Sequence, residues 1–320
     1  MKRLTLLLTI LLALCASTAL GQNLGSPEAY YNRGLDRQGA GDLAGAITDY
    51  DKAVSMKPKP KVLAIIYNGR ANARMGKDDV DGAIADYSKA IETDSKEFEY
   101  HYNRGVARLA KGDNDGAVAD FDSALAINPN LAPAYNNRGN ARRAKGDADG
   151  ALKDYNKALE LNPVYAEGYY NRGILRQGKD DMDAAIADFT KTLEIAPKMV
   201  DAYFNRGVAR QAKGELDAAI ADYTTVIELN PEDSGTYFSR ATARQAKDDL
   251  TGAAADYTKA IELDPAAAQA YANRGVVRLL QGRDAEADQD FAKSFQLDAS
   301  LKASLEKFIA DTKRSRKRNN

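Results

Sequence analysis

Residues 200–233 read VDAYFNRGVARQAKGELDAAIADYTTVIELNPED, and residues 166–199 read AEGYYNRGILRQGKDDMDAAIADFTKTLEIAPKM. The two segments align without a gap. The same pattern begins at 27, 64, 98, 132, 166, 200, 234 and 268. Six of the seven spacings are 34 residues; the first is 37, with the extra length around Lys57-Pro58-Lys59-Pro60-Lys61. A fixed period in the range of about 20–50 residues marks a solenoid, whose units are too small to bury their own apolar faces and must stack.

Two helices are predicted within a block, from about Asp201 to Ala212 and from about Leu216 to Leu229. The Lys213-Gly214 pair ends the first. Pro231 ends the second, because proline lacks the amide N–H and its ring clashes with the preceding turn. Six of the nine prolines recur at this position: Pro58, Pro129, Pro163, Pro197, Pro231 and Pro265. The Gly207 position holds only Gly or Ala, and the Ala219 position is Ala in all eight blocks. Small residues let helix axes approach closely. The Tyr223 position is always Tyr or Phe, and the Tyr203 position is Tyr in seven of eight blocks, with His101 the exception.

This pattern resembles the tetratricopeptide repeat family over residues 27–299. The resemblance rests on the aromatic near the block start, the small residue at Gly207, Ala219, the aromatic at Tyr223 and the terminal proline. It implies an all-α fold, a right-handed superhelical solenoid of eight antiparallel helix pairs. It also implies a concave groove lined mainly by the first helix of each pair. Residues 300–313 read as a capping amphipathic helix and 314–320 as a basic disordered tail.

The chain departs from the family at two positions that are usually apolar or aromatic there. The Arg206 and Arg210 positions are Arg in every block. A spacing of four places both on one helix face. The second helix carries Asp at the Asp222 position in every block. An unpaired Arg between helices would be strongly destabilising, so a ladder of ion pairs is expected, among them Arg104, Arg138, Arg172 and Arg206 with Asp120, Asp154, Asp188 and Asp222. Sixteen Arg face eight Asp, which leaves half the arginines for carbonyls, solvent or an acidic or phosphorylated ligand.

The resemblance also implies that the Phe204, Val208 and Gln211 positions face the groove. The peptide-binding candidates there are Tyr31, Asn68, Asn72, Tyr102, Asn136, Asn140, Tyr170, Ile174, Phe204, Val208 and Phe238. Relatives that grip the acidic tails of heat-shock chaperones use a Lys-and-Asn clamp at these places. No Lys stands at the Phe204 position here, so that function is disfavoured. An aromatic and aliphatic stripe suggests anchors for an apolar peptide or helix instead; packing against neighbouring helices is the alternative.

Lys2 and Arg3, the apolar run Leu4–Leu14 and the small-residue end Ala19-Leu20-Gly21 read as a secretory signal peptide over residues 1–21, cut between Gly21 and Gln22. Residues 22–26 form a short linker. Lipidation at Cys15 is the weaker reading, since Leu14 stands where a small residue is needed. Cleavage removes the single cysteine and takes the formal charge from −1 to −3. A periplasmic or secreted protein with no thiol chemistry and no further apolar span is expected.

No cofactor, metal or catalytic residue is predicted. Gly112–Gly116 and Gly146–Gly150 imitate calcium loops but carry Lys111 or Lys145 at the first ligand position. They read as turns between helices whose Asp starts the second helix. His101 is the only histidine and has no metal-ligating partner. Lys313–Arg318 holds five cations in six residues, but export argues against nucleic acid. The expected function is a non-catalytic scaffold that holds a peptide or partner protein and serves envelope assembly. The alternatives are a regulatory subunit docking on an envelope enzyme, or a binder of anionic surface polymer through Arg residues and the tail.

Overall fold

A computed structural model of the chain describes residues 25–319, with side chains to Arg316. The signal peptide, its cleavage point and Cys15 lie outside the described residues. Seventeen helices and no strands are found among the described residues. They divide between two compact units, with the boundary along the chain between Asp154 and Tyr155.

The first unit contains α1 (Pro27–Gly39), α2 (Leu43–Ser55), α3 (Pro60–Met75), α4 (Val80–Thr93), α5 (Phe98–Lys111), α6 (Asn114–Ile127), α7 (Ala132–Ala144) and the start of α8 (Ala148–Leu161). Each helix from α1 to α7 packs on the next, and the first helices α1 and α3, and α5 and α7, also touch. The long first spacing is absorbed by α3, which begins at Pro60, a turn before the block start at 64.

The second unit holds the end of α8, α9 (Ala166–Gly178), α10 (Met182–Ile195), α11 (Val200–Ala212), α12 (Leu216–Leu229), α13 (Ser234–Ala246), α14 (Leu250–Leu263), α15 (Ala268–Leu280), α16 (Asp284–Leu297) and α17 (Ser300–Asn319). Sequential packing again runs from α9 to α16, with the first helices α9, α11 and α13 side by side.

The close contacts follow from the small residues. Ala46, Ala83, Ala117, Ala151, Ala185, Ala219, Ala253 and Ala287 are fully buried. A Cβ added at Gly105 would stand 2.8 Å from Phe121 Cε1, and one at Gly207 would stand 2.8 Å from Tyr223 Cε1. The second-helix ring therefore lies directly on the first-helix backbone. The turn between the two helices needs one residue with positive φ. Gly41, Gly112, Gly146, Gly214 and Gly282 supply it at φ 79–82°, and Asp78, Asp180 and Asp248 occupy the same position at φ 61–66°. The next residue caps the second helix. Asp113 accepts from the Gly116 amide at 3.0 Å and Asp147 from Gly150 at 2.9 Å, which is the work of the two sequences that imitate calcium loops.

The tail departs from the disordered end expected at 314–320. α17 continues to Asn319. Leu305 and Ile309 pack on Leu279, Ala287 and Phe291. Beyond 313 the helix is held by charge: Arg316 donates to Asp284 at 2.7 Å and to the Leu279 carbonyl, following Lys313 bound to Asp288 at 2.6 Å. A basic run opposite two carboxylates of α16 has a reason to stay helical that composition alone does not reveal.

Candidate functional site

Within each block one buried Asp holds both arginines. Asp222 accepts from Arg206 Nε at 3.0 Å, Arg206 Nη2 at 2.7 Å and Arg210 Nη1 at 2.8 Å. Asp188 does the same with Arg172 and Arg176, Asp154 with Arg138 and Arg142, and Asp120 with Arg104 and Arg108. The arithmetic that left half the arginines unassigned is corrected by this geometry. A carboxylate has about four lone-pair sites and takes a two-pronged guanidinium on one side and a second guanidinium on the other. Several second arginines also reach the carbonyl eight residues on, as Arg74 does to Gly82 at 3.0 Å.

The first arginine does more. Its remaining Nη1 crosses to the previous block: Arg104 to Ser88 at 3.0 Å, Arg138 to Asp122 at 2.5 Å, Arg172 to Asn156 at 2.7 Å and Arg206 to Thr190 at 3.2 Å. Its flat face lies over the tyrosine three residues earlier, at 5.5 Å for Arg206 on Tyr203 and 5.2 Å for Arg138 on Tyr135. Where His101 replaces that tyrosine, its Nε2 lies 3.4 Å from the Ser95 carbonyl.

In the first unit the predicted stripe is largely spent on internal bonds. Tyr31 stands 5.7 Å from Tyr50 and Tyr102 stands 5.9 Å from Phe121. Burial raises the phenol pKa of both Tyr31 and Tyr102 above the ordinary value. Asn72 accepts the Tyr87 hydroxyl at 2.5 Å, Asn68 accepts from Asn103 at 3.0 Å, and Tyr102 accepts from Asn137 at 3.1 Å. Asn136 is only 3% exposed, so its placement on an open face is corrected: it is a core amide bonded to Asn137 at 3.2 Å. Asn140 is half-buried beside it on the same helix.

In the second unit the stripe is more apolar. Tyr170, Ile174, Phe204, Val208 and Phe238 are all half-buried. Each ring backs onto a second-helix ring: Tyr170 on Phe189 at 6.0 Å, Phe204 on Tyr223 at 5.7 Å and Phe238 on Tyr257 at 5.6 Å. Packing and exposure are thus two faces of one ring. Between α11 and α13 lies an open cavity of about 440 Å³, lined by Val208, Gln211, Ala212, Tyr223, Phe238, Ser239 and Thr242. A second cavity of about 300 Å³ lies on the other side of Phe238, lined also by Ser234, Gly235, Ala260, Asp264, Ala267, Gln269 and Ala270. Ala212, Ser239 and Asp264 were not singled out from the sequence. Thr242 was legible, since it stands four residues after Phe238 at the Val208 position. Asp264 lies at the end of a second helix and gave no such signal.

Tyr223 donates to Gln211 Oε1 at 2.9 Å, which leaves the Gln211 amide NH2 at the cavity wall as a donor. The cavity therefore combines an apolar floor with a carboxamide and two hydroxyls, a lining suited to an apolar side chain on a hydrogen-bonding backbone. Among the described residues no group of three or more His, Cys, Asp or Glu could hold a metal, and no helix is long and apolar enough to cross a membrane.

Tetratricopeptide repeat models match residues 27–60, 68–132, 166–199 and 200–233, and a TPR repeat model matches 139–180 and 244–282. No curated protein matches the chain. Among solved structures, YrrB, described as a TPR protein with an unusual peptide-binding site, is 25% identical, with a TM-score of 0.54 over 58% of this chain and 97% of that one. A tetratricopeptide repeat protein from Parabacteroides merdae is 20% identical, with a TM-score of 0.59 over 79% of this chain and 99% of that one. The C-terminal part of a TPR repeat-containing protein from Cytophaga hutchinsonii is 18% identical, with a TM-score of 0.61 over 76% and 98%. Sequence period, helix pairing and these matches agree, and the chain belongs to the tetratricopeptide repeat family.

Proposed function

We propose that this chain is a non-catalytic interaction module of the bacterial periplasm or cell exterior. It holds a peptide segment or partner protein along its first helices and helps assemble or position an envelope complex. The observation that carries the reading is the half-buried stripe Tyr170, Ile174, Phe204, Val208 and Phe238 with the 440 Å³ cavity opening beside it. Such a surface offers apolar anchor points next to the Gln211 amide donor. The likeness to YrrB, with its described peptide-binding site, supports the same use of the fold. Export rests on the residues 1–21 alone.

In the tail, Lys313 and Arg316 are bonded to Asp288 and Asp284, so two of its five cations are spent within the chain. A ligand-facing role for the ladder arginines loses support, since both arginines of each block are committed to its Asp.

The test is site-specific crosslinking in the producing cell. A photoreactive residue at Thr242 should capture a partner, and one at Ala221, exposed on the second helix, should not. Equal capture at both positions, or none at Thr242, rejects the reading. The amino-terminal sequence of the mature protein tests export: it should begin at Gln22.

A further inference from the structure

We infer that the segment bound by the second unit is both apolar and basic: it seats an aliphatic or aromatic side chain beside Phe238 and sets Lys or Arg against Glu167, Asp201 and Asp264. This rests on the proposed peptide-binding face and names the chemistry of its occupant.

The placement comes from helix geometry. Glu167 precedes Tyr170 by three residues, and Asp201 precedes Phe204 by three, so each acid shares a helix face with its stripe ring. The equivalent residues of the next two blocks, Gly235 and Gln269, line the smaller cavity together with Phe238 and Asp264. That position therefore opens on the face that carries the stripe.

These three acids differ from the carboxylates of the arginine ladder and of the lysine pairs. Asp188 and Asp222 each hold two arginines, and Asp183 and Asp217 hold Lys213 and Lys247. Glu167, Asp201 and Asp264 are exposed and make no ion pair among the described residues. Asp264 accepts one bond, from the Ala266 amide at 3.0 Å. Part of their presence has a local cause, since Glu167 and Asp201 sit in the first turns of α9 and α11, where the helix dipole favours an acid. Asp264 closes α14 and also has a local cause, since its carboxylate caps the turn after the helix as Asn128 and Asn162 do in earlier blocks; its place in the lining of the smaller cavity is what brings it to the face. Lys198, exposed in the turn before α11, is the nearest opposing charge in sequence and pairs with none of them.

An apolar floor with an unneutralised acidic edge selects by charge as well as by fit. It speeds encounter with cationic segments and disfavours acidic ones through like-charge repulsion. The chain's own basic helix α17 has the same composition, but it is folded on α15 and α16.

The test uses the mature chain and three fluorescent ten-residue peptides with identical Leu positions and Lys, Ser or Glu between them. Three exposed charge contacts should make the Lys peptide bind about tenfold tighter than the Ser peptide at low salt. The gap should close as added salt shortens the Debye length. The triple variant Glu167→Gln, Asp201→Asn, Asp264→Asn should erase the preference and leave Ser-peptide binding unchanged. Ala212→Phe, which fills the larger cavity from an exposed position, should weaken all three peptides. Equal affinity for the Lys and Ser peptides, tighter binding of the Glu peptide, or a preference that survives the triple variant overturns the inference while the peptide-binding reading stands. Failure of every peptide to bind overturns both.

Discussion

Replacing Asp188 with Ala should cost the second unit far more stability than replacing Asp183 with Ala, although both acids lie on α10 and both hold a cation. Asp188 has a side chain 4% exposed and takes bonds of 2.9 and 2.7 Å from Arg172 and 2.7 Å from Arg176. Its removal strands two guanidinium groups whose side chains are only 16% and 25% exposed. Breaking a buried pair from one side costs about 3–5 kcal/mol. The partial exposure of both arginines lets water recover some of this, so a loss of about 3 kcal/mol is expected. Asp183 is 83% exposed and its pair with Lys213 is worth about 0–1 kcal/mol. Hydrogen exchange of the α9 and α10 amides is the suitable assay, because stacked repeats can open locally rather than in one global step. A third variant separates stranded charge from lost packing. Changing Arg172, Arg176 and Asp188 together to Met, Leu and Leu removes every charge, and should regain most of the loss, since apolar replacements of buried ion clusters are often neutral or better. Losses within about 0.5 kcal/mol of each other for Asp188→Ala and Asp183→Ala would refute the ladder as a source of stability.

Other perturbations follow from the same geometry. Ala185→Leu overfills a fully buried contact and should destabilise by about 1–3 kcal/mol, read by thermal melting. Asp180→Gly and Asp248→Gly relieve positive-φ turns that other blocks fill with glycine, and each should gain about 0.5–1 kcal/mol in urea titration. Tyr170→Ala with Phe204→Ala should weaken partner binding while circular dichroism stays helical; each loses a ring contact worth about 0.5–1.5 kcal/mol, which melting will also show. Alkaline pH should unfold the chain. Burial raises the phenol pKa of Tyr50, Tyr87, Tyr223 and Tyr257, and pushes Tyr100 to about 12. The unfolded chain loses these protons near pH 10 while the fold retains them, so stability is full below about pH 10 and falls above it, by up to about 1.4 kcal/mol per tyrosine per pH unit. Phenolate absorbance that reaches the full amplitude of all seventeen tyrosines near pH 10 with helicity intact would show these rings to be open to water.

The fold was legible because a period needs only repetition to be read. The bounds expected for one block, Asp201–Ala212 and Leu216–Leu229, agree with α11 and α12 to one residue, since Gly214 and Pro231 punctuate that block. The ladder was legible as a pairing and illegible as a stoichiometry. Counting Arg against Asp assumes one partner each, whereas the number of bonds a carboxylate accepts depends on how many donors the backbone brings around it. The stripe was harder. Tyr, Asn and Phe at one position look interchangeable in a sequence, yet Asn136 is core and Phe238 borders two cavities. What separates them is the neighbour in the next block, such as Asn103 reaching Asn68, and that contact spans 35 residues. The helical end of α17 was invisible for a similar reason: its cations meet Asp284 and Asp288 only once α15, α16 and α17 are folded together.

The first arginine of each block explains why a charged group survives where relatives use an apolar one. Nε and Nη2 fix the second helix of its own block; from the second block on Nη1 binds the preceding block, and in every block but the third, where His101 stands, its face rests on a tyrosine one turn back. An apolar side chain could fill that volume but could not require one particular alignment of three helices, because dispersion contacts tolerate sliding and bidentate hydrogen bonds do not. The acceptor for Nη1 follows the same logic. It is Asp51, Ser88, Asp122, Asn156, Thr190, Thr224 or Thr258 wherever another arginine-bearing block follows. In the eighth block that position is Ala292, and the helix that follows is α17, which attaches through Leu305, Ile309, Lys313 and Arg316 instead. The polar residue is present where the neighbouring guanidinium needs it and absent where none arrives. That correspondence ties the choice of residue to alignment between blocks rather than to solubility, which would favour a polar side chain at Ala292 as well.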